Sequence, residues 1–346
     1  MKFAHCLART VTLLAALAQL STAARADEVS DFYRGKMMTM FIGYPSGGGY
    51  DLYARTIARH IIRHIPGAPT MVSQNMPGAS SMLLGNHIAR VAPRDGTALA
   101  AVNSALLFDT VFQGEASKAQ FKGPDLFAIG NVVSSASVLI TLASAGVERL
   151  DQIKTKEIIV GATGRSGDTY LLPLAIKRML GLDALKIVPG YPGTREVAVA
   201  LERAEITGRV WDMEGIKAAR PQWLKDGTIR ILAQLAPQKM PEVPQDVPLV
   251  KEFVPSADDQ KVLDIIFMST ILARPFVAPP GIPAPRAKAL RDAFMATMKD
   301  EQFLADMTKH SMTIDPTSGE DMERIVRDAH ALPAALVEKV RALLRD

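Results

Sequence analysis

The chain has 346 residues, of which 48% are hydrophobic, 22% are charged and only 6% are aromatic. It carries 40 lysine and arginine residues against 36 aspartate and glutamate residues, a formal net charge of +4. Three of the basic residues, Lys2, Arg9 and Arg25, precede residue 27, so basic and acidic residues nearly balance in the remainder. This balance excludes the basic footprint of a protein that binds nucleic acid or an anionic membrane.

The first 26 residues have the pattern of an export signal. Lys2 and Arg9 precede an apolar stretch at residues 11–20, and residues 24–26 match a small-x-small cleavage site. A membrane anchor is the weaker interpretation, because a spanning helix needs about 20 apolar residues. We therefore predict cleavage near Ala26 and a periplasmic location in a Gram-negative bacterium. Cleavage also removes the only cysteine, Cys6, and a chain without thiols suits an oxidising compartment.

The remainder begins with a repeated order of strand, turn and helix. Met37–Ile42 is a continuous apolar run, a glycine-rich turn follows it, and Leu52–Ile65 has helical periodicity. Further strands are predicted at Thr70–Gln74 and Ala98–Val102, with a helix at Ser80–Val91 between them. Continuous apolar strands joined through helices predict a parallel sheet that is covered on both faces.

The same order restarts in the middle of the chain. Glu157–Val160 and Lys186–Val188 are predicted strands, each followed by a turn rich in glycine or proline. Helical patterns follow at Tyr170–Leu180 and Glu196–Arg203. About 320 residues are too many for one small core, so this second series predicts a second lobe.

Two long apolar stretches, Phe127–Leu142 and Met268–Pro279, bracket the second series and are predicted to cross between the lobes. The proline-rich residues 237–255 are predicted to form a loop. Thr317 with Glu320 is a capping-box pattern before the terminal helices. The expected division is residues 27–135 for lobe 1, 136–268 for lobe 2 and 269–346 for the return to lobe 1. Such a junction favours a ligand cleft.

The turn Tyr44–Asp51 is the first candidate site. Glycines between a strand and a helix allow close backbone approach, and the N–H groups of a helix start favour an anion. The segment lacks both the Gly-Lys-Ser/Thr of a P-loop and the G-x-G-x-x-G spacing. Asp51 itself is interpreted as an N-cap rather than a ligand contact, since a carboxylate repels an anion.

The loop Gly161–Asp168 repeats this arrangement in the second series, and Thr163 and Ser166 supply hydroxyl groups. A surface turn is the alternative interpretation. Arg165 offers a forked donor to a carboxylate if it points inward, whereas an exposed arginine has no such role. Both alternatives stay open for this loop.

Other loops at the expected cleft edge carry weaker signals. They are residues 75–81, Asn103-Ser104 and Tyr191–Thr194. Trp211 follows the apolar Val210 and either faces a ligand or packs in the core, since tryptophan is usually well buried.

Signs of catalysis or of a cofactor are poor. His60 and His64 have helical spacing, but Ile61 replaces the glutamate of the metalloprotease motif, and both are expected on the solvated side of their helix. The chain has no G-x-S-x-G elbow. We therefore predict no catalytic residue, no metal and no cofactor.

Several blocks of sequence resemble one family. DFYRGKMMTMFIGYPSGGGYDLYARTIARHIIRHIPGAP, QNMPGASS, VAPRDGTALA, GATGRSGDTYLLPLA and VPGYPGT are similar to the solute receptors of tripartite tricarboxylate transporters, called Bug receptors. The resemblance covers essentially the whole mature chain. It implies an α/β, type II periplasmic binding protein fold, in which two Rossmann-like lobes with two crossover strands enclose a central cleft.

The resemblance also implies a site. Family members hold a ligand carboxylate between loops of the two lobes, largely through backbone amides, hydroxyl groups and bridging water. Carried over to this sequence, the ligand-binding residues of lobe 1 are Pro45, Ser46, Gly47, Gly48, Asp51, Asn75 and Ser80. Those of lobe 2 are Thr163, Ser166 and Asp168. Our own reading of the loops adds Tyr44, Ser104, Arg165, Tyr191 and Trp211.

The implied function is capture of a small carboxylate, either a di- or tricarboxylate or an aromatic acid, which Arg165 and Trp211 would suit. The implied partners are two permease subunits in the membrane, or a sensor kinase for a receptor encoded apart from a permease. We expect a monomer. The alternative from the residues alone is an exported enzyme that acts on a small organic acid.

Overall fold

The computed structural model describes residues 28–345, and these residues form two β-sheets with helices packed around them. The strands of the first sheet are β1 (Met37–Ile42), β2 (Thr70–Asn75), β3 (Ala98–Ala101), β4 (Phe127–Asn131), β10 (Pro275–Ala278) and β11 (Thr317–Ser318). Those of the second are β5 (Ser137–Leu142), β6 (Ile158–Gly161), β7 (Leu185–Val188), β8 (Gly208–Asp212) and β9 (Ile229–Leu235). We call the bodies built on these sheets lobe 1 and lobe 2.

A short helix at residues 28–33 precedes the first strand. The α-helices after it are α1 (Gly49–Ile61), α2 (Met82–Arg90), α3 (Asp109–Gln113), α4 (Asp168–Leu180), α5 (Thr194–Glu202), α6 (Met213–Ala219), α7 (Pro221–Lys225), α8 (Ala257–Ile271), α9 (Ala284–Thr297), α10 (Glu301–Lys309), α11 (Gly319–His330) and α12 (Ala334–Leu344). A 3-10 helix at Ser104–Phe108 follows β3. The strand-turn-helix order predicted for both series is therefore confirmed.

Both sheets are mixed rather than purely parallel. The order in lobe 1 is β11-β4-β10-β3-β1-β2, and that in lobe 2 is β7-β6-β8-β5-β9. β1 runs parallel to β2 and β3, and β6 runs parallel to β7 and β8. The strands next to the lobe crossings, β10 and β5, pair antiparallel with their neighbours. The chain enters both strands directly from the other lobe. The expectation of parallel pairing holds only for strands that are joined through a helix within one sheet, so it does not hold for these two.

The two crossings are short. β4 ends at Asn131 in lobe 1 and β5 begins at Ser137 in lobe 2, while α8 ends at Ile271 and β10 begins at Pro275. The first residues of the second predicted crossing, 268–271, are therefore helical rather than extended. The Asn131 side chain accepts a hydrogen bond from the Arg274 backbone N–H at 2.8 Å, so the two crossings are tied side by side.

The apolar pattern of the first strand and helix explains the core of lobe 1. Met40 and Ile42 of β1 are fully buried against Tyr53, Ile57 and Ile61 of α1. These three helix positions are the ones that the four-residue periodicity predicts to face the core.

The opposite face of α1 is not solvated as expected. His60 is 6% exposed, and its Nε2 lies 2.8 Å from Asp306 of α10. His64 Nε2 lies 3.0 Å from Asp300, just before that helix. The prediction of a solvated side is wrong for His60, because α10 packs on this face of α1 and supplies partners for its basic side chains.

The terminal helices begin one residue later than the capping pattern predicts. Ser318, not Thr317, caps α11, and its Oγ accepts the Asp321 N–H at 3.1 Å. Among residues 28–345, the helices are all too short or too polar to cross a membrane. The predicted export signal lies outside the described residues.

Candidate ligand site between the lobes

A small polar cavity lies where the carboxyl ends of the parallel strands in both lobes meet. Lobe 1 contributes Tyr44, Tyr50 and Asn103 to its wall. Lobe 2 contributes Ser137, Asp168, Thr169, Thr194, Val210, Trp211 and Asp212. The cavity has a volume of about 20 Å³, which is room for about one water molecule. The two lobes are thus closed on each other.

The glycine-rich turn of lobe 1 is held in place by Asp51. Gly48, not Asp51, is the N-cap of α1, so the predicted capping role is wrong. The Asp51 carboxylate instead accepts hydrogen bonds from the Gly47 N–H at 3.0 Å, Arg55 Nε at 2.8 Å and Asn75 Nδ2 at 2.8 Å. Gly47 has φ = +87°, a conformation that favours glycine. Asp51 and Asn75 therefore shape the turn from behind the cavity wall.

The rest of this turn lies against lobe 2. A Cβ atom at Gly48 would lie 3.0 Å from Thr194 Oγ1, and one at Gly193 would lie 3.0 Å from Pro45 Cδ. Such close approach leaves little room for side chains at these two positions. Ser46 is exposed at the tip of the turn.

A second direct contact between the lobes forms at residues 79–81. Ala79, Ser80 and Ser81 have consecutive left-handed φ values of 46°, 53° and 72°, a conformation that non-glycine residues adopt at an energetic cost. Ser80 Oγ lies 2.8 Å from Thr163 Oγ1 and accepts the Gly164 N–H at 2.8 Å. These bonds help to offset the backbone strain.

Asp168 is the first residue of α4 in lobe 2, and it reaches into lobe 1. Its Oδ1 accepts a hydrogen bond from Asn103 Nδ2 at 2.6 Å, and its Oδ2 accepts one from Ser104 Oγ at 3.3 Å. Burial raises the pKa of Asp168, and the nearby charge of Asp212 raises it further. The charged form of this carboxylate is thus disfavoured in the closed protein.

Asn103 is the centre of the lobe 1 wall. Its Nδ2 also lies 2.9 Å from the Tyr44 hydroxyl, and its Oδ1 caps the following 3-10 helix by accepting the Ala105 N–H at 3.0 Å. The sequence analysis placed Asn103-Ser104 in a loop at the expected cleft edge but did not choose Asn103 as a ligand-binding residue. Asn103 follows the carboxyl end of β3, which runs parallel to β1. This position places Asn103 at the cavity and could have identified it from the sequence.

Arg274 lies in the second crossing, behind the cavity wall. Its Nη2 donates a hydrogen bond to Asp212 Oδ1 at 2.8 Å, and its guanidinium group lies 4.5 Å from the Tyr50 ring centre and 5.2 Å from that of Tyr53. Burial lowers the pKa of Arg274, but Asp212 and the two tyrosines together outweigh it, so the pKa is raised overall. Arg274 is a single arginine within an apolar stretch, a pattern that could have indicated a buried charge. The sequence analysis did not predict a role for it.

Arg209 lies behind the lobe 2 wall and is fully buried. Its guanidinium group is 3.6 Å from the ring centre of Trp211, and its Nη1 donates to the Thr194 carbonyl at 3.0 Å. Nε and Nη2 have no hydrogen-bond partner among the described residues. Burial lowers the pKa of Arg209 to about 9, so the group is still charged at neutral pH. Its side chain was not anticipated from the sequence.

Trp211 packs in the core of lobe 2 and also reaches the cavity wall. It is 5% exposed and packs edge-on against Trp223 with ring centres 6.2 Å apart, and it also lines the cavity. Of the other cavity residues, Thr194 ends the predicted loop Tyr191–Thr194, and Asp212 directly follows Trp211 in the chain.

Of the candidate residues, Tyr44, Asp168 and Trp211 line the cavity, and the others do not. Three of those others remain to be described. Arg165 is exposed, and its Nη1 donates to the Tyr170 hydroxyl at 2.7 Å beside a separate surface groove. Ser166 donates to the Ala79 carbonyl at 3.2 Å. Tyr191 packs against the core of lobe 2. Over residues 28–345, no cluster of three metal-binding side chains occurs.

Solved structures place this architecture among the two-lobed periplasmic binding proteins. The chain is similar to the periplasmic binding protein BugD, with a TM-score of 0.70 and 17% identity over 90% of this chain and 98% of that chain. It is also similar to MatC from Rhodopseudomonas palustris with bound malate, with a TM-score of 0.69 and 17% identity over 90% and 99% of the two chains. A further R. palustris protein with adipate has a TM-score of 0.67 and 19% identity over 89% and 97%.

The family follows from the sequence. The model of the tripartite tricarboxylate transporter family receptor, TctC, matches residues 54–342, and the chain belongs to this family. A relative from Cupriavidus necator, described as the UPF0065 protein in the gbd 5'region, is 25% identical over 97% of both chains. Family and fold are those of periplasmic solute-binding receptors rather than of enzymes.

Proposed function

We propose that this receptor captures a small carboxylate between its lobes and presents it to the membrane subunits of a tripartite transporter. One observation carries the proposal: both lobes line one small cavity whose wall is rich in polar residues and is backed by two buried guanidinium groups, Arg209 and Arg274. MatC with malate and the R. palustris protein with adipate are relatives of the same fold that hold carboxylates.

The buried charge of Arg209 favours an anion nearby. Burying a charge without a partner is costly, and two nitrogen atoms of Arg209 lack one among the described residues. Cavity residues Thr194, Ser137 and Asn103 add hydroxyl and amide donors. The start of α4 also lies at this cavity, and helix N-termini favour negative charge.

We assign the direct ligand contacts to Tyr44, Asn103, Thr194 and Trp211, which line the cavity. Among the residues that the family resemblance suggested, Ser80 and Thr163 are assigned to lobe closure. Asp51 and Asn75 are assigned to shaping the first turn. Ligand entry requires the lobes to separate, because the closed cavity holds about one water molecule.

A thermal-shift screen of the purified mature protein tests the proposal. Dicarboxylates, tricarboxylates and aromatic acids are added separately, and a true ligand stabilises the protein by about 2.7 kcal/mol at a hundredfold excess over Kd. The ligand is recovered unchanged if the protein is a receptor. Formation of a product by the purified protein would instead support the alternative of an exported enzyme.

A locked variant tests whether binding needs opening. The double variant Ser80→Cys with Thr163→Cys places two thiols where the hydroxyl oxygens now lie 2.8 Å apart, and the predicted mature chain has no other cysteine. Oxidation is expected to abolish ligand binding and reduction to restore it. Each single variant is the control. Equal affinity in the oxidised and reduced forms would contradict the closure model.

We also propose export and cleavage near Ala26, which N-terminal sequencing of the periplasmic protein tests.

Deleting the gene distinguishes a permease partner from a sensor-kinase partner. Loss of uptake of the ligand indicates a permease, and uptake that survives while a transcriptional response is lost indicates a sensor kinase. The mature protein is proposed to be a monomer.

A further inference from the structure

The last helix of the chain, α12, packs on both lobes. It contacts α3 of lobe 1 and α4 of lobe 2, and it also contacts α8, which leads into the second crossing. Val340 and Leu344 of α12 are buried in one apolar cluster together with Phe112 of α3 and Leu171 of α4. The lobes are therefore joined at α12 as well as at the two crossings.

The attachment of α12 to lobe 1 is partly buried. Arg341 Nε donates to the Val111 carbonyl at 3.0 Å, and its Nη2 donates to the Thr110 carbonyl at 3.1 Å. The preceding helix, α11, packs on β4 of lobe 1, and its His330 Nε2 lies 3.2 Å from Thr110 Oγ1. Only residues 331–333 separate α11 from α12. Hydrogen bonds and chain connectivity thus both keep α12 with lobe 1.

A single arginine attaches the end of α12 to lobe 2. Arg178, in the last turn of α4, donates from Nη1 to the Leu343 carbonyl at 2.9 Å and to the Arg345 carbonyl. The last carbonyl groups of a helix lack backbone donors, and the helix dipole favours a cation there. This contact is exposed, whereas that of Arg341 is partly buried. The attachment to lobe 2 is therefore the one expected to break first.

We propose that α12 is a latch, which stays with lobe 1 when the lobes separate and holds the protein closed through its contact with Arg178 when no ligand is bound. The inference rests on the proposed separation of the lobes, and it goes beyond ligand capture because it names what resists that separation. Opening moves α4 away from α3, so α12 can remain with only one of them. By lowering the fraction of open protein, the latch lowers the fraction that can admit a ligand.

A thiol at position 80 measures opening without any ligand. Ser80 is 6% exposed and lies against lobe 2, so in the mature protein Ser80→Cys should react with iodoacetamide at a rate proportional to the open fraction. In this background Arg178→Ala is expected to raise the rate about threefold to tenfold, the effect of losing about one hydrogen bond. Arg203→Ala removes an arginine that is 70% exposed on the same lobe and is expected to leave the rate unchanged.

Cutting the latch at its other end sharpens the test. Arg341→Ala removes the attachment to lobe 1 and is also expected to raise the rate. Because release at either end frees the latch, the double variant Arg178→Ala with Arg341→Ala should react no more than about twofold faster than the faster single variant. If the two arginines stabilised the closed protein independently, the two increases would multiply instead.

A thiol inside one lobe separates opening from unfolding. Ala200 of α5 is 3% exposed within lobe 2, and the rate at Ala200→Cys is expected to be unchanged by Arg178→Ala. Equal increases at both positions would show a loosened lobe and overturn the latch. If position 80 reacts faster than position 200 but neither arginine variant changes its rate, opening stands and the latch is overturned. If position 80 reacts no faster than position 200, the lobes do not separate, and the closure model and the latch both fail. The thermal-shift screen decides ligand capture separately.

Discussion

The glycine-rich turns of the two lobes have the same order of elements but use their acidic residue differently. Each turn follows the first parallel strand of its lobe and leads into a helix, α1 or α4, with an aspartate in the first helical turn. Asp51 folds back and bonds Gly47 within its own turn. Asp168 extends away from its turn and bonds Asn103 of the other lobe.

The difference follows from position along the helix. Asp51 is the third residue of α1, from which a side chain reaches back to the N–H groups before the helix, as in a capping box. Asp168 is the first residue of α4 and projects beyond the helix end. A shift of two positions thus separates a carboxylate that shapes a loop from one that faces a ligand cavity.

The largest effect is expected at Asp51. Asp51→Ala leaves the Gly47 N–H, Arg55 and Asn75 without their shared acceptor, and we expect a loss of about 2 to 4 kcal/mol in unfolding free energy. Urea unfolding measures it. Asp31→Ala removes an exposed ion pair with Arg34 and is the control, with an expected loss of about 0 to 1 kcal/mol. Equal losses in the two variants would refute the structural role of Asp51.

Asp109 extends the comparison to a buried carboxylate outside the cavity. Burial raises its pKa to about 6, against the lowering effect of its hydrogen bond from Ser117. The folded state therefore binds this proton more tightly than the unfolded state, whose value is 3.8, so stability is lost as the pH rises across that window.

We expect Asp109→Asn to stabilise the protein by about 1 to 3 kcal/mol near pH 7 and by much less near pH 4. Urea unfolding at several pH values measures the difference. A stabilisation that is independent of pH would show that the charge of Asp109 is not its cause.

Variants of Ser80 compare the stabilisation from its hydrogen bonds to lobe 2 with the cost of its left-handed backbone. Ser80→Ala removes the bonds to Thr163 and Gly164 and keeps the left-handed backbone, and we expect a loss of about 1 kcal/mol. Ser80→Gly removes the same bonds but relieves the strain, so it is expected to be more stable than the alanine variant by about 1 kcal/mol. Unfolding by urea ranks the three proteins. A glycine variant less stable than the alanine variant would contradict strain at this position.

The smallest effect is expected at Arg165, three residues before Asp168 in the same turn. Because Arg165 does not line the cavity, Arg165→Ala is expected to change ligand affinity by less than about twofold, equivalent to a few tenths of a kcal/mol. Calorimetry with the best ligand of the screen measures it. A tenfold weakening would place Arg165 in the site after all.

Local sequence patterns predicted the strands and helices well, but they predicted poorly which distant residues contact them. The bounds of β1 and the buried face of α1 follow from apolar periodicity, which acts within a few residues. His60 was expected in solvent, because α10, which covers it, is about 240 residues later in the chain. Arg209 and Arg274 were missed because the partners of a single arginine in an apolar run are set by tertiary packing alone.

Tryptophan fluorescence tests the central claim, ligand capture in the cavity between the lobes, most directly. The chain has two tryptophans, and only Trp211 lines that cavity in the described residues. A carboxylate that binds by calorimetry should give a saturable fluorescence change with the same Kd, and Trp211→Phe should lose the change while it retains binding. Calorimetric binding without any fluorescence change in the wild-type protein would contradict the account, because the ligand would then occupy another site.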